Sequence, residues 1–381
     1  MSHLSLPCTI MRGGTSKAVF LLASDLPAAP TLCTELILEI FGSPDPRQID
    51  GLGGADPLTS KLAVIAPSSR DDIDVEYTFG QVSISEAFVD FSGNCGNISS
   101  AVAPYALEKG LAAWCEPISR VRILNTNTGK TIVSEVPVHN GQVVTEGDYR
   151  IAGVPGTGAE IRLHFLDPGG SATGKLLPTG RTVDRIQLEN GTEIEVSIID
   201  AGNPTGFVDA ADIGLRGDEL PSQIETQPDV MDVLEEIRAK IAERMGLVAS
   251  WRDAFKKYRT FPKIAFVATP STSQTIYGTA VEGPEIDLLA RVMAMGRPHK
   301  AFALTAAIPT AAASRIPGSI VHRVCRSDSG RIRIGHPSGI LEVEVSAREI
   351  DGRIIVEEVS FGRTARKLME GIVFRRRREL P

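Results

Sequence analysis

The sequence predicts an α+β fold made of antiparallel sheets and few helices. Short runs rich in β-branched and aromatic residues recur through both halves, separated by turn residues and in several cases alternating with period two. Only two segments carry a clear helical stripe. A weak internal repeat is the third observation. Residues 95–104 (CGNISSAVAP) and 300–309 (KAFALTAAIP) are both small-residue helical stretches that close on a proline. Each is followed by a strand, a Gly-basic turn (Gly129-Lys130, Gly330-Arg331) and a second strand. Chance can supply a likeness this short. The other reading is two pseudo-symmetric domains, each an antiparallel sheet wrapped around a central helix.

In chain order, the strand-like runs of the first half are residues 19–22, 61–65, 75–79, 81–84, 121–124 and 131–136. Those of the second half are 193–199, 264–268, 331–334, 341–345 and 354–359. One helix is expected over 229–245, where Val230, Val233, Leu234, Ile237 and Ile241 fall on one face and Gly246 ends the pattern. The other opens near Cys95, with Ile98, Ala101, Val102, Tyr105 and Ala106 as its stripe and Gly110 as the residue after its C-cap. Most of its residues are small, so it can be packed closely on all sides. The join between domains is expected near 180–184, after the Gly/Pro-rich stretch 168–178, giving domains 1–183 and 184–371.

A chain of 381 residues fits two or three domains. Its 42% hydrophobic and 23% charged residues are those of a globular protein with a core large enough to need no staple. The net charge of −7 argues against a nucleic-acid partner. No run approaches the roughly 18 apolar residues of a membrane span. Residues 1–9 lack the basic-then-apolar order of a signal peptide, so a cytoplasmic location is expected. The cysteines Cys8, Cys33, Cys95, Cys115 and Cys325 are scattered without a CxxC pair, which suggests neither a disulfide framework nor a metal site.

Four segments can carry chemistry. In Met11-Arg12-Gly13-Gly14-Thr15-Ser16-Lys17, paired glycines can present successive N–H groups to an anion, with Arg12 and Lys17 adding charge and Thr15 and Ser16 adding hydroxyls. It matches neither a P-loop nor a dinucleotide fingerprint, and a tight turn would give the same spacing. Residues 50–61 form a glycine-rich loop that ends Ser60-Lys61 at the start of a strand. A lysine there is either a solvated charge or, in a closed apolar site, a neutral amine base. In Ser92-Gly93-Asn94-Cys95-Gly96-Asn97, a helix-start cysteine faces the positive end of the dipole, and the first N–H groups of the helix can bind a carboxylate. A buried structural cysteine is the alternative. In Gly296-Arg297-Pro298-His299-Lys300, His299 and Lys300 could bind a second carboxylate or simply be exposed. His336 reads as structural in its turn, and Arg375–Arg378 as a solvated tail.

Six ordered stretches, MRGGTSKA (11–18), RQIDGLGGADPLTSK (47–61), GNCGNISSAV (93–102), GNPTGFV (202–208), GRPHKAF (296–302) and RTARKLMEG (363–371), together resemble the PrpF family over nearly the whole chain. NTNTGK, GDYRIAGVPGTGA and TGKLLPTG are most similar to its methylitaconate Δ-isomerase type, beside which stand 4-oxalomesaconate tautomerase and 2-methylaconitate isomerase, with aconitate a further alternative substrate. The resemblance implies a diaminopimelate epimerase-like fold with the active site in a cleft between two domains, and a final strand, within 372–381, that returns to the first domain. It implies a cofactor-independent isomerase that moves a C=C bond in a small unsaturated di- or tricarboxylate by an allylic 1,3-proton shift. No metal or other cofactor, nucleic acid or membrane partner is expected, and a homo-oligomer is compatible with it.

Carried over by motif, Lys61 is the general base and Cys95 the acid or orienting group. Arg12, Gly14, Thr15, Ser16, Lys17, Ser60, Asn94, Gly96, Asn97, His299 and Lys300 are expected to bind substrate. Epimerases of this fold carry a second cysteine at the other central helix. Here that segment reads Pro298-His299-Lys300, which speaks against two-thiol racemisation. A non-catalytic accessory protein to an aconitase-like enzyme is the alternative of another class.

Overall fold

The computed structural model describes residues 5–257, 261–294 and 296–374. It comprises two compact units, residues 1–163 with 362–381, and residues 164–361. The Gly/Pro-rich stretch near 170 belongs wholly to the second unit. It is held by the Asp200 carboxylate, which accepts from the Ser171 and Thr173 hydroxyls and from the Ala172 and Thr173 N–H groups.

In the first unit, β1 (Ser5–Gly13) and β2 (Ser16–Leu22) are antiparallel. After α1 (Pro30–Phe41), β3 (Lys61–Pro67) runs parallel to β2. β4 (Val75–Val82) is antiparallel to β3 and to the short β5 (Val89–Asp90). After α2 (Gly96–Glu108), β6 (Ile118–Asn125) runs parallel to β4 and antiparallel to β7 (Lys130–His139). The strand Ala365–Phe374 returns to pair with β1, setting Ser5 opposite Phe374. Arg375–Arg378 and the rest of the expected return segment lie outside the described residues.

The second unit repeats this plan. β8 (Glu193–Ala201) and β9 (Asn203–Asp209) are antiparallel, and β10 (Lys263–Ala268) follows α3 (Pro228–Arg244) and runs parallel to β9. β11 (Leu288–Ala294) is antiparallel to β10. After α4 (Leu304–Ser314), β12 (Arg331–His336) runs parallel to β11 and antiparallel to β13 (Gly339–Ile350). Strand order and sense match those of the first unit, so the repeat seen in sequence is a repeat of topology.

Two expectations change. The sheets are mixed rather than antiparallel, because four helical crossovers join parallel neighbours. Period-two alternation carries no information about strand direction. The runs 75–79 and 81–84 are one strand ending at Val82. Gly80 does not break it. A Cβ there would stand 3.1–3.2 Å from Phe91, Leu62 and Val89, so glycine serves close packing.

Each helix of the first unit takes one face of its sheet. α1 packs Leu36, Ile37, Ile40 and Phe41 with Val19, Leu21, Leu62, Val82 and Val89. α2 covers the other face, where its Tyr105 ring meets Phe20 with centroids 5.2 Å apart. Every α2 residue from Gly96 to Leu107 is buried, as its small side chains allow. Gly110, with φ +70°, ends it as expected, its N–H donating to Leu107 and that of Leu111 to Ala106. Gly246 ends α3 in the same manner, with φ +74°.

Candidate active site

Register and pleat decide which side chains share the α2 face. Phe20 lies on it, so Ala18 and Ser16 do too, and the parallel pairing of Ala18 with Lys61 adds Lys61. The antiparallel pairing of β3 with β4 then adds Gln81, Phe79 and Tyr77. Lys61 is only 7% exposed. Its Nζ donates to Gln81 Oε1 at 2.6 Å and sits 5.2 Å from the Phe79 ring centroid. Gln81 Nε2 donates to the carbonyls of Pro57 and Ser60. The buried Ser60 hydroxyl donates in turn to Gln48 Oε1, which also accepts the Ala55 N–H. The glycine-rich loop is thereby fastened, and Lys61 is a buried amine on a neutral acceptor. Among the described residues no carboxylate stands within 4.0 Å of its nitrogen.

Cys95 is the N-cap residue of α2 and is 8% exposed. Its side chain makes no cap hydrogen bond, and the first turn holds no acidic residue. The positive end of the helix is therefore not neutralised locally. The Cys95 N–H donates to Asn94 Oδ1 at 2.6 Å, and its carbonyl accepts from Ser99 N–H and Oγ. Tyr77 is fully buried on the same face. Burial first, and then the nearby Cys95, raise its phenol well above the usual value, against a smaller lowering by a hydrogen bond with Ser99.

The β1–β2 turn is pressed against this helix start. Asn97 Nδ2 donates to Thr15 Oγ1 at 3.1 Å, and Asn97 Oδ1 accepts the Thr15 N–H at 3.4 Å. Gly14 has φ +51° and donates its N–H to Thr364 O. The N–H groups of Gly14 and Thr15 thus go to protein acceptors, as in the tight-turn reading of this segment. A Cβ on Gly13 would stand 2.5 Å from the Asn97 carbonyl oxygen. Gly13→Ala is accordingly expected to displace the start of α2, costing about 1–3 kcal/mol of stability and about 10²-fold in turnover. Thermal melting and kcat measured on the same preparation check this.

Not every residue of that turn reaches the α2 face. Ser16 does, buried and with a hydroxyl lacking a protein partner. Arg12 and Lys17 pair with each other in register and alternate to the opposite face. Arg12 Nη1 donates to Gly14 O and Thr364 O, both at 2.9 Å, and burial lowers its guanidinium from the usual value, with Arg366 adding to this. Arg12 and Lys17 each stand one residue from an α2-face position, Arg12 from Gly13 and Lys17 from Ser16, and strand alternation therefore sets both opposite to Lys61.

In the second unit, His299 is buried and its Nδ1 accepts the Ala301 N–H at 3.0 Å, while Lys300 is exposed. His336 makes the same contact with the Ser338 N–H, as a structural turn residue would. α4 begins at Leu304, four residues after Lys300, so Lys300 is not at the helix start as the repeat implied. The Lys300 carbonyl accepts from Ser338 Oγ at 2.5 Å, which keeps that segment on the turn. Topologically, Lys263 matches Lys61, since it faces Thr205 of β9 as Lys61 faces Ala18. Val292 and Ala290 stand where the first unit has Phe79 and Tyr77. The aromatic ring and phenol beside the lysine belong to the first unit's site.

Sequence reasoning missed Gln81, Phe79 and Tyr77, the side chains around Lys61 and Cys95. A glutamine following Val75, Tyr77 and Phe79 on one otherwise apolar strand face was the available signal, hidden because Gly80 read as a break. No group of three or more His, Cys, Asp or Glu among the described residues is arranged to hold a metal. No helix among them is long and apolar enough to cross a membrane.

A family model described as PrpF protein matches residues 3–376. The chain belongs to the PrpF family. It is 48% identical over 375 residues to 3-methylitaconate isomerase of Eubacterium barkeri, covering 98% of this chain and 97% of that protein. It is 40% identical to 2-methyl-aconitate isomerase of Cupriavidus necator, covering 98% of each. A crystal structure of methylitaconate-delta-isomerase superposes with TM-score 0.82 at 47% identity, over 98% of this chain and 96% of that one. A hydroxyproline epimerase from Agrobacterium vitis gives TM-score 0.56 at 13% identity, over 97% and 92%, a likeness of fold. This PrpF protein is therefore an isomerase on an epimerase-like α+β fold.

Proposed function

We propose that this PrpF protein moves a C=C bond by an allylic 1,3-proton shift in a small unsaturated polycarboxylate of the methylitaconate type. Lys61 removes the proton and Cys95 delivers one to the other terminus of the allyl unit. The observation that carries this reading is the Lys61 amine, buried on the α2 face against an amide and a ring. A carboxylate partner would hold it as ammonium, whereas an amide oxygen accepts from amine and ammonium alike.

In methylitaconate, loss of the C3 proton leaves a dienolate whose charge spreads onto the conjugated carboxylate. The N–H groups of Gly96 and Asn97 are assigned to that carboxylate, since a helix start without an acidic residue favours added negative charge. Protonation of the former methylene carbon gives a methyl group and a tetrasubstituted butenedioate. Atoms balance with one proton taken and one returned.

Thr15, Ser16, Asn94 and Ser60 are assigned to the walls of the same site. His299 and Lys300 are assigned to a further carboxylate on their sequence position alone, and His299→Gln and Lys300→Met test them through KM. The 2-methyl-aconitate isomerase relative keeps a tricarboxylate in view as the second reading. The test is kcat/KM for methylitaconate, 2-methylaconitate, aconitate and 4-oxalomesaconate under one set of conditions. Methylitaconate is expected to lead. A lead by another of the four reassigns the substrate, and binding without isomerisation of any supports an accessory role.

A further inference from the structure

Gln81 stands between Lys61 and a buried carboxylate. Lys61 faces Gln81 and Gln81 faces Asp90, so three side chains form one row across β3, β4 and β5. Asp90 is 6% exposed, and its Oδ1 accepts the Ser92 N–H at 2.8 Å and the Ser92 hydroxyl at 2.5 Å. The amide between them cannot turn over. Its Nε2 donates to two carbonyls, at 3.2 and 3.0 Å, and reversing it would set oxygen against both. Oε1 is thereby fixed on the lysine nitrogen at 2.6 Å.

We propose that Gln81 is a positioning residue that aims the Lys61 amine at the substrate and stands as a neutral amide between it and Asp90, two strands away. This rests on the role of Lys61 proposed above. An amide oxygen orients the amine without a formal charge, whereas a carboxylate within about 4–6 Å favours the charged form by one to three pH units. The other titratable groups on this face include Tyr77 of β4, Lys130 of β7 in row with it, and Cys95 and Tyr105 of α2. At the C-terminal end of α2, Glu108 and Lys109 pair with Lys367 and Glu370 of the returning strand. Lys17 of β2 belongs to the opposite face.

The experiment compares pH profiles of kcat/KM for methylitaconate isomerisation. Gln81→Glu is expected to move the rising limb to higher pH by about one to three units, with activity recovering at the alkaline end. Gln81→Met, which keeps length but loses the acceptor, is expected to lower kcat roughly 10–100-fold without moving the limb and with KM little changed. A folded Gln81→Glu protein whose limb stays at the wild-type pH overturns the proposal. If Gln81→Glu does not fold, Gln81→Met decides, and wild-type kcat in that variant overturns it. If Lys61→Met keeps full turnover, the assignment of the base falls with it. If Lys61→Met is inactive and the Gln81 variants behave as wild type, only the role of Gln81 falls.

Discussion

Lys61→Met is expected to lower turnover by about 10²–10⁴-fold, the range a placed general base contributes, and to leave the protein folded. Methionine nearly matches lysine in length and can rest over Phe79 at the end of the buried strand position, but it cannot take a proton. The structural cost is one donor lost to Gln81 Oε1, about 1–3 kcal/mol for a buried acceptor left unpaired. Apolar contact of the thioether offsets part of this. Turnover and thermal melting measured together separate the effects. A melting shift of several degrees with activity abolished is the expected pair of results. Full turnover from a folded variant would remove Lys61 from the chemistry.

Cys95→Ser is expected to cost nearly as much, about 10²–10⁴-fold in kcat, because a serine hydroxyl is a far weaker acid than a thiol. The two side chains differ little in size, and the wild-type sulfur makes no cap bond to α2, so the helix start should keep its geometry. KM is therefore expected to stay near the wild-type value while kcat falls. A loss below about tenfold would leave Cys95 only an orienting role, since a full acid contributes more than that. The proton would then be both taken and returned by Lys61.

Much of this site is legible in the amino-acid sequence, and the reasons are local. Lys61 follows a glycine-rich loop and opens an apolar run, which marks a loop–strand junction where a lysine can be drawn inward. Cys95 precedes a stretch of residues too small to fill a surface helix, which marks a buried helix with an approachable start. The buried row beside Lys61 was not legible, since Gly80 looks like punctuation until Phe91, Leu62 and Val89 are seen packed against it. The parting of Arg12 and Lys17 from the turn they flank depends on strand parity across two glycines. The α1 helix, which buries Leu36, Ile37, Ile40 and Phe41, was not among the segments read as helical. The parallel neighbours were missed because direction belongs to the crossovers, which no single strand encodes.

The central claim is that Lys61 takes a proton from one carbon and Cys95 gives one to another. The most direct test is proton NMR of methylitaconate turned over in D₂O by wild-type and Lys61→Met protein. The account predicts that wild type shifts the double bond and places one solvent deuterium in the newly formed methyl group, and that Lys61→Met does neither. A methyl group that retains the substrate's own proton, or a Lys61→Met protein that incorporates deuterium at the wild-type rate, would contradict it.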